Sequence, residues 1–354
     1  ADTALWVVGE NRAGIKSSGR HLERYFQSVS KLDSARHCGV FDATAPRKDT
    51  PFTLSDYAEH WPVEFGGKRI EVVSLPGVFA HGRLDISHHP FCGGVPDDTR
   101  ITTRYSDTDF LESFMAVLHE TGHALYQQGL PADWRRLPVG NCLGAAVHES
   151  QSLFVEMQVA RSSPFMEFAA PRIRHHLGRG QGNDAWTADN LYAQAIRVRR
   201  DFIRVDADEA TYSLHVILRF ELERALIAGE LSVADIPDAW NDGMNRYLGL
   251  STDGNFKDGC MQDVHWFSGL FGYFPTYTLG ALMAAQWFAA ATKCIPDIET
   301  RIRTGDFARV VSWLRREIHS RGQLKTGREL LTEITGEPLN IRYFKDHLER
   351  RYLG

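Results

Sequence analysis

The sequence lacks the features that mark membrane, secreted and nucleic-acid-binding proteins. Its longest apolar run, ALMAAQWFAAA, is too short for a bilayer span, which needs about 20 residues. The N-terminus, ADTALWVVGENR, has no basic segment followed by a sustained apolar stretch, so we expect no signal peptide. The 40 basic and 45 acidic residues are mixed along the chain, and no basic block predicts a nucleic-acid partner.

Cysteine is also scarce and scattered. No CxxC pair occurs, which argues against a disulfide framework and against a thiolate zinc site. We therefore expect reduced thiols and a cytoplasmic protein. The five cysteines are Cys38, Cys92, Cys142, Cys260 and Cys294.

The sequence pattern divides the chain into two regions. Residues 1–65 are irregular, and the pattern predicts loops with one short helix around residues 21–32. Residues 66–354 form the second region, in which TRITTRY predicts a strand and nearly everything after residue 109 has helical periodicity. The sequence predicts a mainly α fold with a small sheet before its first long helix.

That first helix carries an HExxH motif, HETGH at residues 119–123. Residues four apart on an α-helix differ by about 400° of rotation, so His119 and His123 project from one face and can share a tetrahedral Zn²⁺. Glu120 lies beside that face, where it can accept a proton from a water without occupying the metal. The apolar residues around the motif predict a buried helix, in which unpaired charges would be costly.

A catalytic zinc site needs a third protein ligand and an open fourth position. The next predicted helix offers Glu149, 26 residues after His123. Glu156 is a rival on nearly the same helical face, about 10 Å further along the axis. Only one of the two can reach the metal, and spacing alone leaves the choice open.

Several ordered motifs resemble those of the carboxypeptidase Taq family of metallocarboxypeptidases. They are GRLDISHHPF, DTRIT, HETGH, HESQS, IRVDA and GCMQDVHW, within a likeness that covers about residues 80–354. The resemblance implies a large helical fold with a deep central cleft and a small β-sheet near the metal. It also implies removal of single residues from peptide C-termini, and a homodimer.

The resemblance implies roles for individual residues as well. His119, His123 and Glu149 would be the metal ligands, and Glu120 the general base. One divalent metal is implied. Two histidines and a carboxylate suit Zn²⁺, and Co²⁺ or Mn²⁺ fits the same ligands.

Arg204, in IRVDA, is the position that the family motif suggests for the substrate's terminal carboxylate. The planar guanidinium binds a carboxylate through two parallel hydrogen bonds. Without the resemblance, a surface salt bridge with Asp201 or Asp208 would be the default interpretation.

The region around HWFSGLFGYFPTY contains candidates for stabilising the oxyanion of a tetrahedral intermediate. We expect His265 and Tyr277 to be the donors, with Tyr273 as a rival phenol. A purely structural role in the core is the alternative for all three. Gln262 and Asp263 are expected to orient neighbouring groups.

The N-terminal region departs from the family pattern, because family members carry a longer helical region before GRLD. Residues 1–65 match it poorly, and a truncated chain, a divergent replacement and a minimal form with an open cleft are three interpretations. The leading functional hypothesis is a metal-dependent carboxypeptidase acting on peptides with a free C-terminus. An endopeptidase or dipeptidase on a related scaffold, and an inactive peptide-binding protein that keeps its metal, are the alternatives.

Overall fold

The structure is a computed structural model of the 354-residue chain. It describes residues 5–10, 26–33, 38–46, 63–65, 68–70, 81–87, 90–106, 109–177 and 184–354. Where residues are described, the chain contains eight β-strands followed by eleven α-helices.

The N-terminal region contains strands where the sequence pattern predicts loops and a helix. β1 (Leu5–Glu10), β3 (Cys38–Pro46) and β2 (Phe26–Asp33) form an antiparallel sheet in that order. β4 (Val63–Phe65) pairs with β5 (Lys68–Ile70). The helix expected around residues 21–32 is wrong from residue 26 onward, because antiparallel pairing with the following strand, β3, overrides the local pattern. The remainder of that expected helix lies outside the described residues.

A second sheet lies beside the first long helix. β8 (Asp98–Thr103) is its central strand, parallel to β6 (Gly82–Ile86) and antiparallel to β7 (Cys92–Val95). β8 contacts α1 (Phe110–Gly129), and its Ile101 side chain is buried. The extended conformation expected for TRITTRY is confirmed over β8.

α1 begins where the sequence predicts it. The Asp109 carboxylate accepts hydrogen bonds from the backbone N–H groups of Leu111 and Glu112, which satisfies donors left free at a helix start. The remaining helices are α2 (Ala145–Leu153), α3 (Ser163–Leu177), α4 (Ala188–Ala195), α5 (Glu209–Ala228), α6 (Ile236–Leu248), α7 (Pro275–Cys294), α8 (Ile298–Thr304), α9 (Ala308–Glu317), α10 (Gly327–Thr335) and α11 (Arg342–Tyr352). A π-helical segment, Phe154–Ala160, continues α2.

The main hydrophobic core fixes α1 and α2 against α7 and α9. Phe154 is fully buried, with its ring 5.5 Å from that of Phe288 on α7 and 6.4 Å from that of Trp313 on α9. Full burial of each such aromatic side chain stabilises the fold by roughly 1.5–3 kcal/mol. A smaller cluster around Trp240 and Leu218 joins α5 to α6.

The expected fold class, mainly α with a small sheet near the motif helix, is confirmed. Among the described helices, none combines the length and the hydropathy that a bilayer crossing requires.

Candidate metal centre

Two glycines allow the helices around the HETGH motif to approach α2 closely. A Cβ atom on Gly122 of α1 would lie 2.4 Å from the Gln151 carbonyl oxygen and 2.6 Å from the Ser152 Cα. A Cβ atom on Gly280 of α7 would lie 2.8 Å from the Cγ of Glu149. All three distances are shorter than non-bonded packing allows, so only glycine lets α2 lie this close to its neighbours.

The close approach brings three ligand-type side chains together. His119 Nε2 lies 3.8 Å from one carboxylate oxygen of Glu149, and His123 Nε2 lies 3.5 Å from the other. Metal bonds of about 2.0–2.1 Å at the tetrahedral angle would place ligand atoms about 3.3 Å apart. The spacing and the chemistry of these donors therefore fit a divalent cation such as Zn²⁺.

The remaining ring nitrogens of the two histidines face acceptors. His119 Nδ1 lies 2.8 Å from Glu156 Oε2, and His123 Nδ1 lies 3.1 Å from the carbonyl oxygen of His148. A proton on each Nδ1 leaves the Nε2 lone pair of both rings directed toward the carboxylate of Glu149. Glu149 thus lies on the Nε2 side of His119 and Glu156 on its Nδ1 side. This geometry supports Glu149 as the ligand, which stays a prediction.

Glu120 has a buried carboxylate, with only 5% of the residue exposed. Its Oε2 atom has no hydrogen-bond partner within the described part of the chain. Burial raises the pKa of Glu120 and outweighs the opposing electrostatic effect of the neighbouring histidines. A carboxylate with a raised pKa and a free oxygen beside a cation site suits a proton acceptor.

Arg204 is held by an acid that is distant in sequence. Its Nε and Nη2 atoms donate to Asp263 Oδ1 at 3.0 and 2.8 Å, and its Nη1 donates to the Tyr212 hydroxyl at 2.8 Å. The residue is only 4% exposed. The default interpretation of a surface salt bridge with Asp201 or Asp208 is therefore wrong, since the ion pair is buried and is made with Asp263.

The same acid holds a second arginine. Arg219 Nε donates to Asp263 Oδ2 at 2.6 Å, so two guanidinium groups share one carboxylate. This cluster has an excess of one positive charge, which suits an anion close by. Although burial raises the pKa of Asp263, Arg204 and Arg219 lower it to below its ordinary value.

Gln262 joins the two segments that carry this cluster. Its side-chain oxygen accepts from the Arg204 backbone N–H at 2.9 Å, and its amide nitrogen donates to the carbonyl oxygens of Phe202 and Asp258 at 2.9 and 2.8 Å. These contacts support the orienting role expected for Gln262 and for Asp263.

The two expected oxyanion donors contact each other. His265 Nε2 lies 2.9 Å from the Tyr277 hydroxyl, and the guanidinium carbon of Arg204 lies 4.8 Å from the Tyr277 ring centre. The Tyr273 ring lies 5.5 Å from that of Tyr277. Burial raises the pKa of both phenols, so both keep their protons at neutral pH. The choice between Tyr273 and Tyr277 stays a prediction.

Sequence reasoning gave no role to three residues at this site. His148 accepts from His123, Tyr212 accepts from Arg204, and Arg219 shares Asp263. Tyr212 and Arg219 are seven residues apart on α5 and therefore share one face. Their shared face on α5 was the available signal for them.

Comparison with known proteins agrees with this geometry. Residues 68–352 match the sequence model of the carboxypeptidase Taq (M32) metallopeptidases. The chain belongs to this M32 family. Thermostable carboxypeptidase 1 of Thermus thermophilus is 45% identical to it over 298 residues, which are 82% of this chain and 57% of that protein. The solved structure of metallocarboxypeptidase 1 from Trypanosoma cruzi has 46% identity and a TM-score of 0.75, covering 78% of this chain and 57% of that one.

The M32 match covers only part of this chain, and this chain covers only part of its M32 relatives. This chain spans little more than half the length of those two relatives. Residues 1–61 match a different sequence model, that of the N-terminal part of the methyltransferase small domain. Ribosomal RNA small subunit methyltransferase C of a Marinomonas species is 41% identical over 81 residues, which are 23% of this chain and 23% of that protein. A match of that extent does not support a methyltransferase activity for this chain.

Proposed function

We propose that this M32 chain is a metal-dependent carboxypeptidase that releases residues from peptides with a free C-terminus. The observation that carries the proposal is the convergence of two imidazole Nε2 atoms on the Glu149 carboxylate, with the free Glu120 carboxylate oxygen beside them. Zn²⁺ is the metal that two histidines and one carboxylate suit best, and Co²⁺ and Mn²⁺ are the alternatives.

The proposed chemistry uses the residues in separate roles. When bound, a divalent metal would polarise the scissile carbonyl and lower the pKa of a water molecule. Glu120 takes the proton from the attacking water and returns it to the leaving amine, which its raised pKa favours. His265 and Tyr277 would donate hydrogen bonds to the oxyanion of the tetrahedral intermediate.

The Arg204 cluster supports selection of the chain end. Two buried guanidinium groups share a single carboxylate, and three of the five N–H groups of Arg204 bond to Asp263 and Tyr212. The net positive charge favours the terminal carboxylate of a substrate over an internal peptide bond. Arg204 is therefore our proposed substrate-binding residue.

A pair of peptides tests the proposal. One has a free C-terminus and the other an amidated C-terminus, and the products of metal-loaded protein are followed by mass spectrometry. We expect successive loss of C-terminal residues from the free peptide alone, abolished by a chelator. Internal cleavage of both peptides would favour an endopeptidase. No cleavage by protein shown to hold metal would favour an inactive peptide-binding protein.

Domain division, assembly and location are also proposals. A boundary near residue 65 is supported by the two sequence matches, which cover residues 1–61 and 68–352. We propose a homodimer, which light scattering would test. Scattered cysteines without a CxxC pair support a cytoplasmic location.

A further inference from the structure

The carboxylate of Glu156 joins the site through its partners. Its Oε2 lies 2.8 Å from His119 Nδ1, and its Oε1 accepts from Arg161 Nε at 3.1 Å and Nη2 at 2.7 Å. Only 7% of Glu156 is exposed. An ionised carboxylate accepts hydrogen bonds and donates none, so His119 Nδ1 must carry a proton in this contact.

The backbone that carries Glu156 is unusual. Glu149, the proposed third ligand, lies on α2, and Glu156 follows in the π-helical segment Phe154–Ala160. On a continuous α-helix, carboxylates seven residues apart would be separated by about 10 Å along the axis. His119 fills this interval, with Glu149 near its Nε2 atom and Glu156 at its Nδ1 atom. π-helical turns are frequent at functional sites.

Arg161 determines how the Glu156 carboxylate is oriented. Its Nη1 donates to the Ala195 carbonyl oxygen at 2.5 Å, which attaches the guanidinium to the end of α4. Because a guanidinium has donors and no acceptor, the atom of residue 156 that faces Arg161 must be an acceptor. The second carboxylate oxygen is then directed to His119.

We propose that Glu156, held by Arg161, is the positioning residue for the metal ligand His119. It fixes the tautomer with the proton on Nδ1, and it thereby keeps the Nε2 lone pair directed to the cation. This inference rests on the proposed metal site. Carboxylates that accept from a ligating imidazole orient the ring and raise its basicity, and their replacement weakens metal binding by about 10–100-fold.

The Glu156→Gln variant makes the proposal sharp. Arg161 attracts the amide oxygen of the glutamine, so the amide N–H₂ group faces His119 Nδ1. An N–H donor at that point favours the tautomer protonated on Nε2, the nitrogen that should bind the metal. The variant therefore opposes metal binding although it preserves the shape of the side chain.

Equilibrium titration with Zn²⁺ or Co²⁺ alone tests this, with no peptide present. We expect Glu156→Gln to raise the metal Kd by about 10–100-fold and to alter the absorption spectrum of bound Co²⁺. Glu209→Gln is the matched control, since Glu209 is equally buried but contacts His347 and Arg351 instead of a ligand. Its metal Kd should stay within about threefold of the unmodified protein's, because Glu209 hydrogen-bonds to none of the proposed ligands. Glu209 lies near enough to Arg161 to interact with its charge, as Glu156 does, so the control also shows whether losing a negative charge near Arg161 is enough to weaken metal binding.

A second variant separates positioning from a general loss of structure. In Glu156→Gln with Arg161→Met, the amide can rotate and present its oxygen to His119, so part of the lost metal affinity should return. Equal metal Kd values for Glu156→Gln and the unmodified protein would overturn the inference while leaving the metal site intact. If Glu156→Gln does not fold, Glu156→Ala with Arg161→Met, which leaves no acceptor from residue 156 at His119 Nδ1, is compared with Arg161→Met alone, and equal Kd values again overturn the inference. An unmodified protein that binds no metal would refute both the inference and the proposed function.

Discussion

The metal half and the carboxylate half of the candidate site are built in opposite ways. The metal half, His119, His123 and Glu149 with Glu120, comes from two consecutive helices, and its Nε2 and carboxylate atoms approach one another at 3.5 and 3.8 Å. The carboxylate half, Arg204 with Asp263 and Arg219, joins residues 59 and 44 positions apart in closed hydrogen bonds.

The difference teaches what each half requires. The metal half concentrates acceptors that need a cation between them, whereas in the carboxylate half Asp263 already neutralises one of the two positive charges. We therefore expect changes in the metal half to alter metal affinity or chemistry with little loss of fold. Changes in the carboxylate half should alter stability and substrate affinity and leave the metal bound.

The largest effect is expected for the base of the metal half. Replacing Glu120 with Gln removes the proton acceptor, and kcat should fall by about 10²–10⁴-fold. The metal Kd, measured by titration, should change little because Glu120 is not a proposed ligand. Unchanged kcat in metal-loaded Glu120→Gln protein would remove the proposed base from the mechanism.

Asp263→Asn should have the next largest effect, on the fold. It leaves Arg204 and Arg219 buried without their shared anion, which costs about 3–5 kcal/mol of the free energy of unfolding. Denaturant unfolding measures this, with Asp258→Asn, which lies in the same segment and bonds to Asn255, as the control. A normal stability for Asp263→Asn would contradict a carboxylate half held by its ion pairs.

The same acid predicts a pH dependence. The pKa of Asp263 is lowered in the folded state from the ordinary value of 3.8. The contribution of Asp263 to the free energy of unfolding is therefore fully present above its pKa in the unfolded chain. It is lost as the pH falls through its pKa in the folded protein. The free energy of unfolding should decline on acidification below about pH 4, and less steeply in Asp263→Asn. If the free energy of unfolding fell equally steeply with acidification in the unmodified protein and in Asp263→Asn, Asp263 would make no such contribution.

A smaller effect is expected for Arg204→Lys. Lysine keeps the charge but loses the planar fork, which costs about 1.5–3 kcal/mol for a hydrogen bond to a charged group. We expect KM for a free-ended peptide to rise by roughly tenfold or more at unchanged metal Kd. Arg199→Lys is the control, because Arg199 is exposed and pairs with Asp201. A rise in the metal Kd of Arg204→Lys would show that the carboxylate half also affects metal binding, contrary to the separation of the two halves.

The smallest effect on stability is expected from a single methyl group between α1 and α2. Gly122→Ala should cost about 1–3 kcal/mol of stability through overpacking, and it should weaken metal binding because it separates His123 from Glu149. Gly243→Ala is the matched control, since its Cβ would meet Leu218 of the α5–α6 cluster at 2.1 Å, away from the ligands. Equal metal affinity in both variants would show that close helix approach does not set the ligand geometry.

Local spacing explains why the metal half was predictable. The His119–His123 arrangement follows from helical periodicity, and α1 and α2 are consecutive, so a carboxylate on α2 was within reach of sequence reasoning. Spacing left Glu149 and Glu156 open, and the preference for Glu149 came from the family resemblance. The partners of Arg204 were not within reach, because the Asp263 contact spans 59 residues and joins the segment before α5 to the segment between α6 and α7. The role of Glu156 was missed for a related reason, since the π-helical turn changes the direction that a regular helix predicts. At the N-terminus, β2 depends on pairing with β3, which no local pattern of residues 21–32 reveals.

The most direct test counts the metal ions that the protein binds at equilibrium. Titration of the unmodified chain with Zn²⁺, monitored by a competing chelator, should give one ion per chain. The variants His119→Ala and Glu149→Ala should each lose that ion while Arg204→Lys keeps it. A protein that binds no ion, or that binds it equally well without Glu149, would contradict the metal centre on which this account depends.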